Sequence, residues 1–410
     1  MKPNITLISA NFYPEDTAIG FFSSQMVDFL KNNNNQPTVI SGFPYYPQWE
    51  IYHNYKDKPS FIIDIFNEIP VYRSKQFVPK RPTFFSRVRM MLSFLKGSIV
   101  NYRKIEKCDV VIVIVPFSLS IITGILLAKK HKAKLWIHIQ DFEFDLAFES
   151  GILSKKNILT SFFHKAVLKF ESYLFNRADI ISSISNNMLV RAKSKSSVNN
   201  YYLFPNWISE KQISNTDEIH QYIDKNKFTL LYSGNIGDKQ NWSFFIKVCK
   251  EIERTNLEVN VVIVGNGAFA NNLKEMIKPF SFVKMYEPVP LDELGKLLNS
   301  ADAHFLFQKT DVLDSVMPSK IMAMMASKRP SIITGHKNSE VATIFNKNNI
   351  GYYFSSENEE KIIDTLRELM NDKSKSEILG KNAYEYILNN FEEKTILGNM
   401  NAKLKSILNE

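Results

Sequence analysis

Cysteine and glycine are both scarce in this sequence. Its 410 residues include two cysteines, Cys108 and Cys249. Two cysteines are too few for a disulfide framework or a cysteine-rich zinc site, so both are excluded. Glycine accounts for only 14 residues, well below the ~7% of an average protein. Because glycine is rare here, glycines that lie close together in the sequence are more informative than usual.

A secretory signal is also lacking, because no basic segment at the N-terminus is followed by an apolar stretch. This predicts a cytoplasmic protein. One uncharged run, residues 110–128, has 19 residues and is just long enough to span a bilayer. However, its first part is rich in β-branched residues, Pro116 interrupts it, and serines typical of helix starts follow. We interpret it as a buried parallel strand at 110–115 followed by a helix from 118 to 130, with a transmembrane span as the alternative.

The composition, with 44% hydrophobic and 23% charged residues, indicates a globular protein. Short apolar runs alternate with helix-like segments, which predicts parallel sheets covered by helices on both faces. The predicted strands are 5–9, 37–41, 110–115, 135–138, 180–183, 229–233, 259–264, 282–286, 304–307 and 331–334. The polar segment 207–227 indicates a domain boundary. The expected fold class is α/β, with doubly wound Rossmann-like domains at 1–206 and 207–385 and a C-terminal helix in 386–410 that returns to the first domain.

Positive charge is concentrated in the first half of the chain. The net charge is +9, to which residues 1–205 contribute +11 and the remainder −2. The segment 73–107 holds ten basic residues and a single acid, Glu106, interleaved with Phe, Met and Leu. This pattern predicts a surface element that faces an anionic membrane. The alternative is a solvated helix whose apolar side packs on the core. Nucleic acid is not expected as a partner, because no nucleic-acid-binding motif accompanies the charge.

The first candidate ligand site follows the predicted strand at 229–233. Glycines there let backbone N–H groups approach an anion, and the N-terminus of the helix expected from Trp242 favours negative charge. A lysine would add a full charge beside a phosphate. The residues of this candidate site are Gly234, Asn235, Gly237 and Lys239. An ordinary strand-to-helix turn is the alternative.

The next predicted strand, 259–264, ends in a second glycine pair. Gly265 and Gly267 fit the dinucleotide pattern G-x-G-x-x-A, and Glu287 lies 22 residues after Gly265. The pattern follows the second strand of its domain rather than the first, which weakens its reading as a dinucleotide site. These three residues carry the alternative hypothesis of an NAD(P)-dependent oxidoreductase.

A third segment places a lysine at another helix start. Pro318 is suited to the first helical position, so the N–H groups of Ser319 and Lys320 would point outward as a second anion site. Two such sites in one domain suit a diphosphate better than a single phosphate. The alternative is a capped helix with an incidental lysine.

Carboxylates follow the predicted strand at 135–138. Asp141, Glu143 and Asp145 alternate with aromatic residues, and burial beside aromatics would prepare one of them as a catalytic acid or base. With His138 as the only nearby imidazole, no metal site is expected. The alternative is one N-cap acid with two solvated neighbours. Gly20 is a further glycine at a strand-to-helix junction.

In order along the chain, these segments resemble the GT-B-fold glycosyltransferases of family 4. The resemblance points to the branch of colanic-acid and O-antigen enzymes that includes N-acetyl-L-fucosamine transferases, and it spans nearly the whole chain. Its marks are NFYPEDTAIG at 11–20, GFPYYPQW at 42–49, HIQDFEFD at 138–145, PNW at 205–207, YSGNIGDKQ at 232–240, VGNG at 264–267 and MPSK at 317–320. GFPYYPQW and HIQDFEFD are the more branch-specific of these.

The resemblance implies two domains that face a cleft, with a UDP-sugar held by the C-terminal domain. It implies transfer with retention of anomeric configuration, no metal or other cofactor, and a lipid-linked acceptor in bacterial surface polysaccharide synthesis at the inner face of the membrane. The catalytic residues expected are Asp141, Glu143, Lys239 and Lys320. The donor-binding residues expected are Gly20, Gly234, Asn235, Gly237, Gly265, Gly267, Glu287, Pro318 and Ser319. A shift of one position would put Gln240 in place of Lys239.

The sequence departs from this family at a pair of acids. Many relatives carry Glu-x7-Glu where this chain has Ser315 and Ala323, and the second acid of that pair binds the ribose. Asp311 or Asp314 is the alternative for the first acid. Relatives also often have a second glycine beside Gly20, where this chain has isoleucine. These losses motivate a further hypothesis, a non-catalytic nucleotide-binding assembly protein, and a sugar-nucleotide epimerase of the same fold is another.

Overall fold

The chain forms two compact units, Met1–Pro205 with Leu397–Glu410, and Asn206–Ile396. The structure is a computed structural model, and it describes residues 2–16, 18–80, 83–142, 158–208, 218–310 and 318–409. The sequence places the boundary between residues 206 and 207, and the division in the structure falls between 205 and 206.

In the part of the chain described, the first unit is built on an eight-stranded sheet in the order β3-β4-β2-β1-β5-β6-β7-β8. Its strands are β1 (Asn4–Ser9), β2 (Gln36–Gly42), β3 (Phe61–Phe66), β4 (Ile69–Ser74), β5 (Val110–Val115), β6 (Lys134–Ile139), β7 (Ile180–Ser183) and β8 (Tyr201–Leu203). Its helices are α1 (Ala18–Asn32), α2 (His53–Lys56), α3 (Phe84–Tyr102), α4 (Ser120–His131), α5 (Ile158–Phe175) and α6 (Asn186–Lys195). β3 is antiparallel to β4, and the other neighbours are parallel.

The uncharged run at 110–128 is a strand followed by a helix, as the sequence predicts. Every residue of β5 is buried, which is why the run is apolar on both faces of the strand. α4 begins at Ser120, two residues later than expected, and the Ser120 hydroxyl donates to Phe117 O at 2.6 Å. Within the described ranges, no helix is long and apolar enough to cross a membrane.

The second unit has a parallel sheet in the order β11-β10-β9-β12-β13-β14. Its strands are β9 (Phe228–Ser233), β10 (Val259–Val264), β11 (Val283–Tyr286), β12 (Ala303–Phe307), β13 (Ser331–Thr334) and β14 (Tyr352–Phe354). Its helices are α7 (Trp242–Arg254), α8 (Ala270–Ile277), α9 (Leu291–Ser300), α10 (Ser319–Ala326), α11 (Glu340–Asn348), α12 (Glu359–Asn371) and α13 (Lys373–Phe391). The chain winds outward in one direction from β9 to β11 and in the other from β12 to β14. The carboxyl ends of β9 and β12 therefore lie side by side at the switch point, where such sheets bind ligands.

The C-terminal region is two helices rather than the single one expected in 386–410. α13 ends at Phe391, Glu392 is extended with a ψ of 133°, and α14 runs over Glu393–Asn409. From Leu397 onward α14 belongs to the first unit, where Asn401 Oδ1 accepts from Asn35 Nδ2 at 3.1 Å.

Candidate functional site

Lys320 lies across the backbone of Gly234 at the switch point of the second sheet. A Cβ atom on Gly234 would lie 2.4 Å from Lys320 Cε, and the φ of Gly234 is +134°. Glycine suits this position because its positive φ disfavours other residues, and because a side chain here would displace the end of Lys320. The loop after β9 and the start of α10 are thus brought together by one lysine. Two residues that the sequence assigned to separate anion sites are therefore in direct contact.

The amine of Lys320 is held by Tyr232. Lys320 Nζ donates to Tyr232 Oη at 2.6 Å and lies 4.0 Å from the centroid of the tyrosine ring. Burial lowers the pKa of Lys320 to about 7, because an apolar environment disfavours the charged form. Among the described residues, the contact of this amine is with a phenol and not with a carboxylate.

Tyr232 is fixed in the core of the second unit. It is 1% exposed, and its ring packs edge-on against Trp242 with centroids 5.0 Å apart. Its hydroxyl donates to Asn235 O at 2.5 Å. Burial raises the pKa of the phenol, so it stays neutral. The hydroxyl therefore links the lysine on α10 to the loop that follows β9.

The glycines after β10 let that strand's loop pack against the loop after β9. A Cβ atom on Gly265 would lie 2.0 Å from Gly234 O, and one on Gly267 would lie 2.4 Å from Ile236 O. Ile236 N donates to Asn266 O at 2.9 Å. Loop-to-loop packing therefore accounts for both glycines, and their contact with a donor stays a prediction.

Glu287 directly follows β11 and is exposed. Its Oε2 accepts from Asn266 Nδ2 at 3.2 Å. The carboxylate thus helps to hold the loop after β10, and its predicted contact with a donor is untested.

The two predicted cations after β9 and β12 have different environments. Lys239 is exposed, and its backbone oxygen accepts from Lys309 N at 3.1 Å. Gln240, the alternative for its place, has its side-chain oxygen engaged by Gly237 N at 2.9 Å. Lys320 is instead largely enclosed. Of the two lysines, the structure therefore preorganises Lys320.

Pro318 precedes the first residue of α10, whereas the sequence suggested that it is the first helical residue. Its ψ of 136° is extended, so it precedes the first helical residue, Ser319, rather than occupying that position. The first bonds of α10 run from Ile321 N and Met322 N to Pro318 O, at 2.9 and 3.2 Å. The amides of Ser319 and Lys320 lie ahead of this ladder, so they remain directed out of the helix N-terminus as expected.

At the second position of the Glu-x7-Glu pair this chain has an alanine, and the surroundings of that alanine are also apolar. Ala323 packs in a cluster with Leu231 and Val262. Asp311, Asp314 and Ser315, which concern the first position, lie outside the described residues.

The predicted acid site after β6 is described only at its start. Asp141 is exposed, and its Oδ1 accepts from Phe142 N at 2.8 Å. Glu143 and Asp145 lie outside the described residues. His138 is a core residue: burial lowers its pKa to about 3, and its ring nitrogens contact Ser182 Oγ and Gln140 Nε2, each at 2.9 Å.

The first unit also contains a buried acid, Glu15. It lies within the motif NFYPEDTAIG, and the sequence alone did not indicate a functional role for it. It is 2% exposed, and its Oε1 accepts from Tyr45 N and Tyr46 N at 2.8 and 2.9 Å. A Cβ atom on Gly20 would lie 2.7 Å from Glu15 Cβ, so Gly20 makes room for this carboxyl. Burial raises the pKa of Glu15. Glu15 therefore joins the two motifs NFYPEDTAIG and GFPYYPQW in space.

Part of the basic segment 73–107 is interior, so the predicted membrane-facing surface is limited to the remaining residues of the segment. Arg73 is 1% exposed, and its Nε donates to Asp64 Oδ2 at 2.9 Å. Met90, Met91 and Phe94 are buried in the core. The apolar side of α3 that these residues form therefore packs inward, and only its opposite side faces solvent.

Comparison with known proteins identifies the family. Residues 215–386 match the family described as Glycosyl transferases group 1. Over 354 residues, 83% of this chain and 85% of the relative, the sequence is 30% identical to a protein assigned as the colanic acid biosynthesis glycosyl transferase WcaI of Escherichia coli (strain K12). This protein therefore belongs to the group 1 glycosyl transferases, as the sequence motifs indicated.

Solved structures share its fold at low sequence identity. Sucrose-phosphate synthase from Thermosynechococcus elongatus has a TM-score of 0.74 at 12% identity and covers 99% of each chain. Anabaena HepE in complex with UDP and glucose has a TM-score of 0.67 at 12% identity, over 98% of this chain and 100% of that one. The lipopolysaccharide outer core galactosyltransferase WaaB has a TM-score of 0.63 at 13% identity, over 98% and 99%. These comparisons confirm the predicted α/β GT-B fold.

Proposed function

We propose that this protein is a retaining, metal-independent glycosyltransferase that uses a UDP-sugar. The sugar, such as N-acetyl-L-fucosamine or another amino sugar, would pass to a lipid-linked oligosaccharide during synthesis of a bacterial surface polysaccharide. The observation that carries the proposal is the placement of Lys320 against Gly234 at the switch point of the second sheet. That point is where a phosphate-bearing ligand binds in sheets of this type.

The groups at this point suit a diphosphate. Lys320 supplies a cation whose described contact is a neutral phenol, and the amides of Ser319 and Lys320 precede the hydrogen-bond ladder of α10. Helix N-termini bind anions through such amides. Because the pKa of Lys320 is about 7, the amine is partly neutral near neutral pH, and an adjacent diphosphate would favour its charged form. Anabaena HepE, which shares the fold, has been solved with UDP.

The same groups give a route to catalysis. When the bond from the sugar to the diphosphate breaks, negative charge grows on the leaving oxygen. Lys320 and the amides at the start of α10 would stabilise that charge, as preorganised donors do in other transferases. Gly234, Asn235 and the exposed Lys239 would complete the donor site, and the role of Asp141 or Glu143 as a catalytic acid or base stays a prediction.

The outer side of α3 suggests how a lipid-linked acceptor is reached. We name this side, together with Arg103 just after the helix, the α3 stripe; it consists of Phe85, Arg89, Leu92, Lys96, Val100 and Arg103. All six are exposed, Phe85 by 73%. Alternating basic and apolar side chains suit the interface of an anionic membrane. We therefore place the protein at the inner face of the cell membrane as a peripheral protein.

UDP release tests this function. Purified protein incubated with pooled sugar nucleotides and a membrane lipid extract should release UDP, and the lipid fraction should gain one sugar. Lys320→Ala should abolish most of this release, whereas Lys274→Ala, which removes an exposed lysine of α8, should not change it. Absence of nucleotide release from every pool would contradict the proposal. Tight nucleotide binding without turnover would instead favour a non-catalytic assembly protein.

A further inference from the structure

β3 carries a row of apolar side chains on the surface of the first unit. We name Phe61, Ile63 and Ile65 the β3 row; they alternate along the strand and are 41%, 59% and 62% exposed. β3 is the outermost strand of its sheet. Natural edge strands are usually protected by charge or by a covering element, so an apolar row at this place indicates an interaction surface.

The β3 row lies beside α3. Phe61 is opposite Ser74 in the antiparallel register of β3 and β4, and Ser74 contacts α3, since a Cβ atom on Gly97 would lie 2.1 Å from Ser74 Oγ. Just beyond α3, Lys104 Nζ lies 5.6 Å from the centroid of the Phe61 ring. Both contacts place the C-terminal part of α3 next to the β3 row. The row and the α3 stripe are therefore neighbours on one face of the first unit.

We propose that the β3 row and the α3 stripe together bind an anionic lipid bilayer, with the side chains of the β3 row inserted among the headgroups. The proposal rests on the peripheral attachment put forward above and adds a second element to it. The exposed Lys104 borders the row at Phe61, and Arg89, Lys96 and Arg103 of the α3 stripe add positive charge on the same face. Interfacial binding increases with the apolar area buried and with attraction to anionic lipid, and this surface provides both.

A second copy of this chain is the competing occupant of an exposed edge strand. Two copies that met through this whole face would bring the basic residues of each α3 stripe near those of the other. Like charges at an interface oppose association, and charged residues are depleted from interface cores. Anionic headgroups would instead neutralise the same basic residues. The charge around the β3 row therefore favours lipid.

Vesicle sedimentation of the full chain tests the proposal. The probes are phosphatidylcholine vesicles with and without phosphatidylglycerol. Ile63→Thr/Ile65→Thr removes apolar volume and keeps β-branched side chains that suit a strand. We expect this variant to bind the anionic vesicles about tenfold more weakly than the wild type, with unchanged UDP binding. Val190→Ser, at a residue of α6 that is 66% exposed, is the matched control and should bind like the wild type.

A second variant separates this proposal from the attachment through α3. Lys96→Ser/Arg103→Ser should also weaken binding to anionic vesicles. If it does so while the isoleucine variant binds normally, the β3 row has no part in attachment and the α3 stripe stands alone. If the wild type ignores both vesicle types, membrane attachment itself is wrong. If the isoleucine variant dissociates a dimer seen by light scattering but still binds vesicles, the row serves self-association and the proposal is overturned.

Discussion

Tyr232 connects the core of the second unit to the charge of its candidate donor site. The ring packs against Trp242, and the hydroxyl accepts from Lys320 and donates to Asn235. This tyrosine is the first residue of the motif YSGNIGDKQ, but the sequence alone did not indicate a role for it. Its role depends on where α10 brings Lys320, and local sequence does not contain that information.

Tyr232→Phe should leave the ring packing intact and remove both hydrogen bonds. Because a buried donor and a buried acceptor would then lack their partner, we expect a loss of about 1–3 kcal/mol in the free energy of unfolding. UDP should also bind more weakly, but by less than when Lys320 itself is removed. Urea unfolding and calorimetry measure the two effects. Tyr222→Phe, whose ring stacks on Tyr286, serves as the control; an equal loss in both variants would contradict the role of the Tyr232 hydroxyl.

Glu15 gives a pH-dependent prediction in the first unit. Its pKa is raised by burial in the folded state, so the folded protein holds this proton more tightly than the unfolded chain. The carboxyl therefore favours folding most at a pH below its unfolded pKa, and that contribution is lost as the pH rises through the folded pKa. Glu15→Gln keeps an acceptor for Tyr45 N and Tyr46 N but cannot ionise.

The stability of the Gln variant relative to the wild type should therefore increase as the pH is raised from about 4.5 towards 7. Urea unfolding of both proteins across this range measures the difference. A difference that stays constant with pH would show that the carboxyl of Glu15 titrates normally.

Among the elements, buried parallel strands are the ones that sequence predicts well. All ten predicted strands are present, because a strand covered on both faces reads as a short continuous apolar run. β3, β4, β8 and β14 were missed. β3 exposes its apolar residues, β4 contains Pro70 and Arg73, which resemble loop and surface residues, and β8 and β14 have only three residues each. Arg73 can be interior because its guanidinium pairs with Asp64, diagonally across β3 and β4, and donates to Gly42 O and Tyr13 O. These partners are set by the fold.

Two helical glycines give a matched test of element packing. A Cβ atom on Gly380 of α13 would lie 2.0 Å from the backbone oxygen of Lys328, whereas one on Gly398 of α14 would have no atom within 4 Å. Alanine is about 1 kcal/mol more favourable than glycine in a helix, but overpacking against backbone costs about 1–3 kcal/mol. We expect Gly380→Ala to lower the melting temperature and Gly398→Ala to raise it slightly. The same sign for both variants would contradict the packing of α13.

For the whole molecule, sequence supplied the fold class and the family, and the structure supplied the pairing within the candidate site. Lys320 and Gly234 are 86 positions apart, and their contact follows from the reversal of strand order between β9 and β12. From the sequence, Lys239 and Lys320 were equally good candidates for binding a phosphate. Burial distinguishes them, because one side chain is exposed and the other lies on Tyr232.

The central claim is that Lys320 binds the diphosphate of the donor, and calorimetry with UDP and with uridine tests it most directly. If the claim holds, Lys320→Ala should weaken UDP binding by about 1.5–3 kcal/mol, the range for a hydrogen bond to a charged group. Uridine, which has no phosphate, should bind both proteins equally. Unchanged affinity for UDP, or an equal loss for UDP and uridine, would contradict the claim.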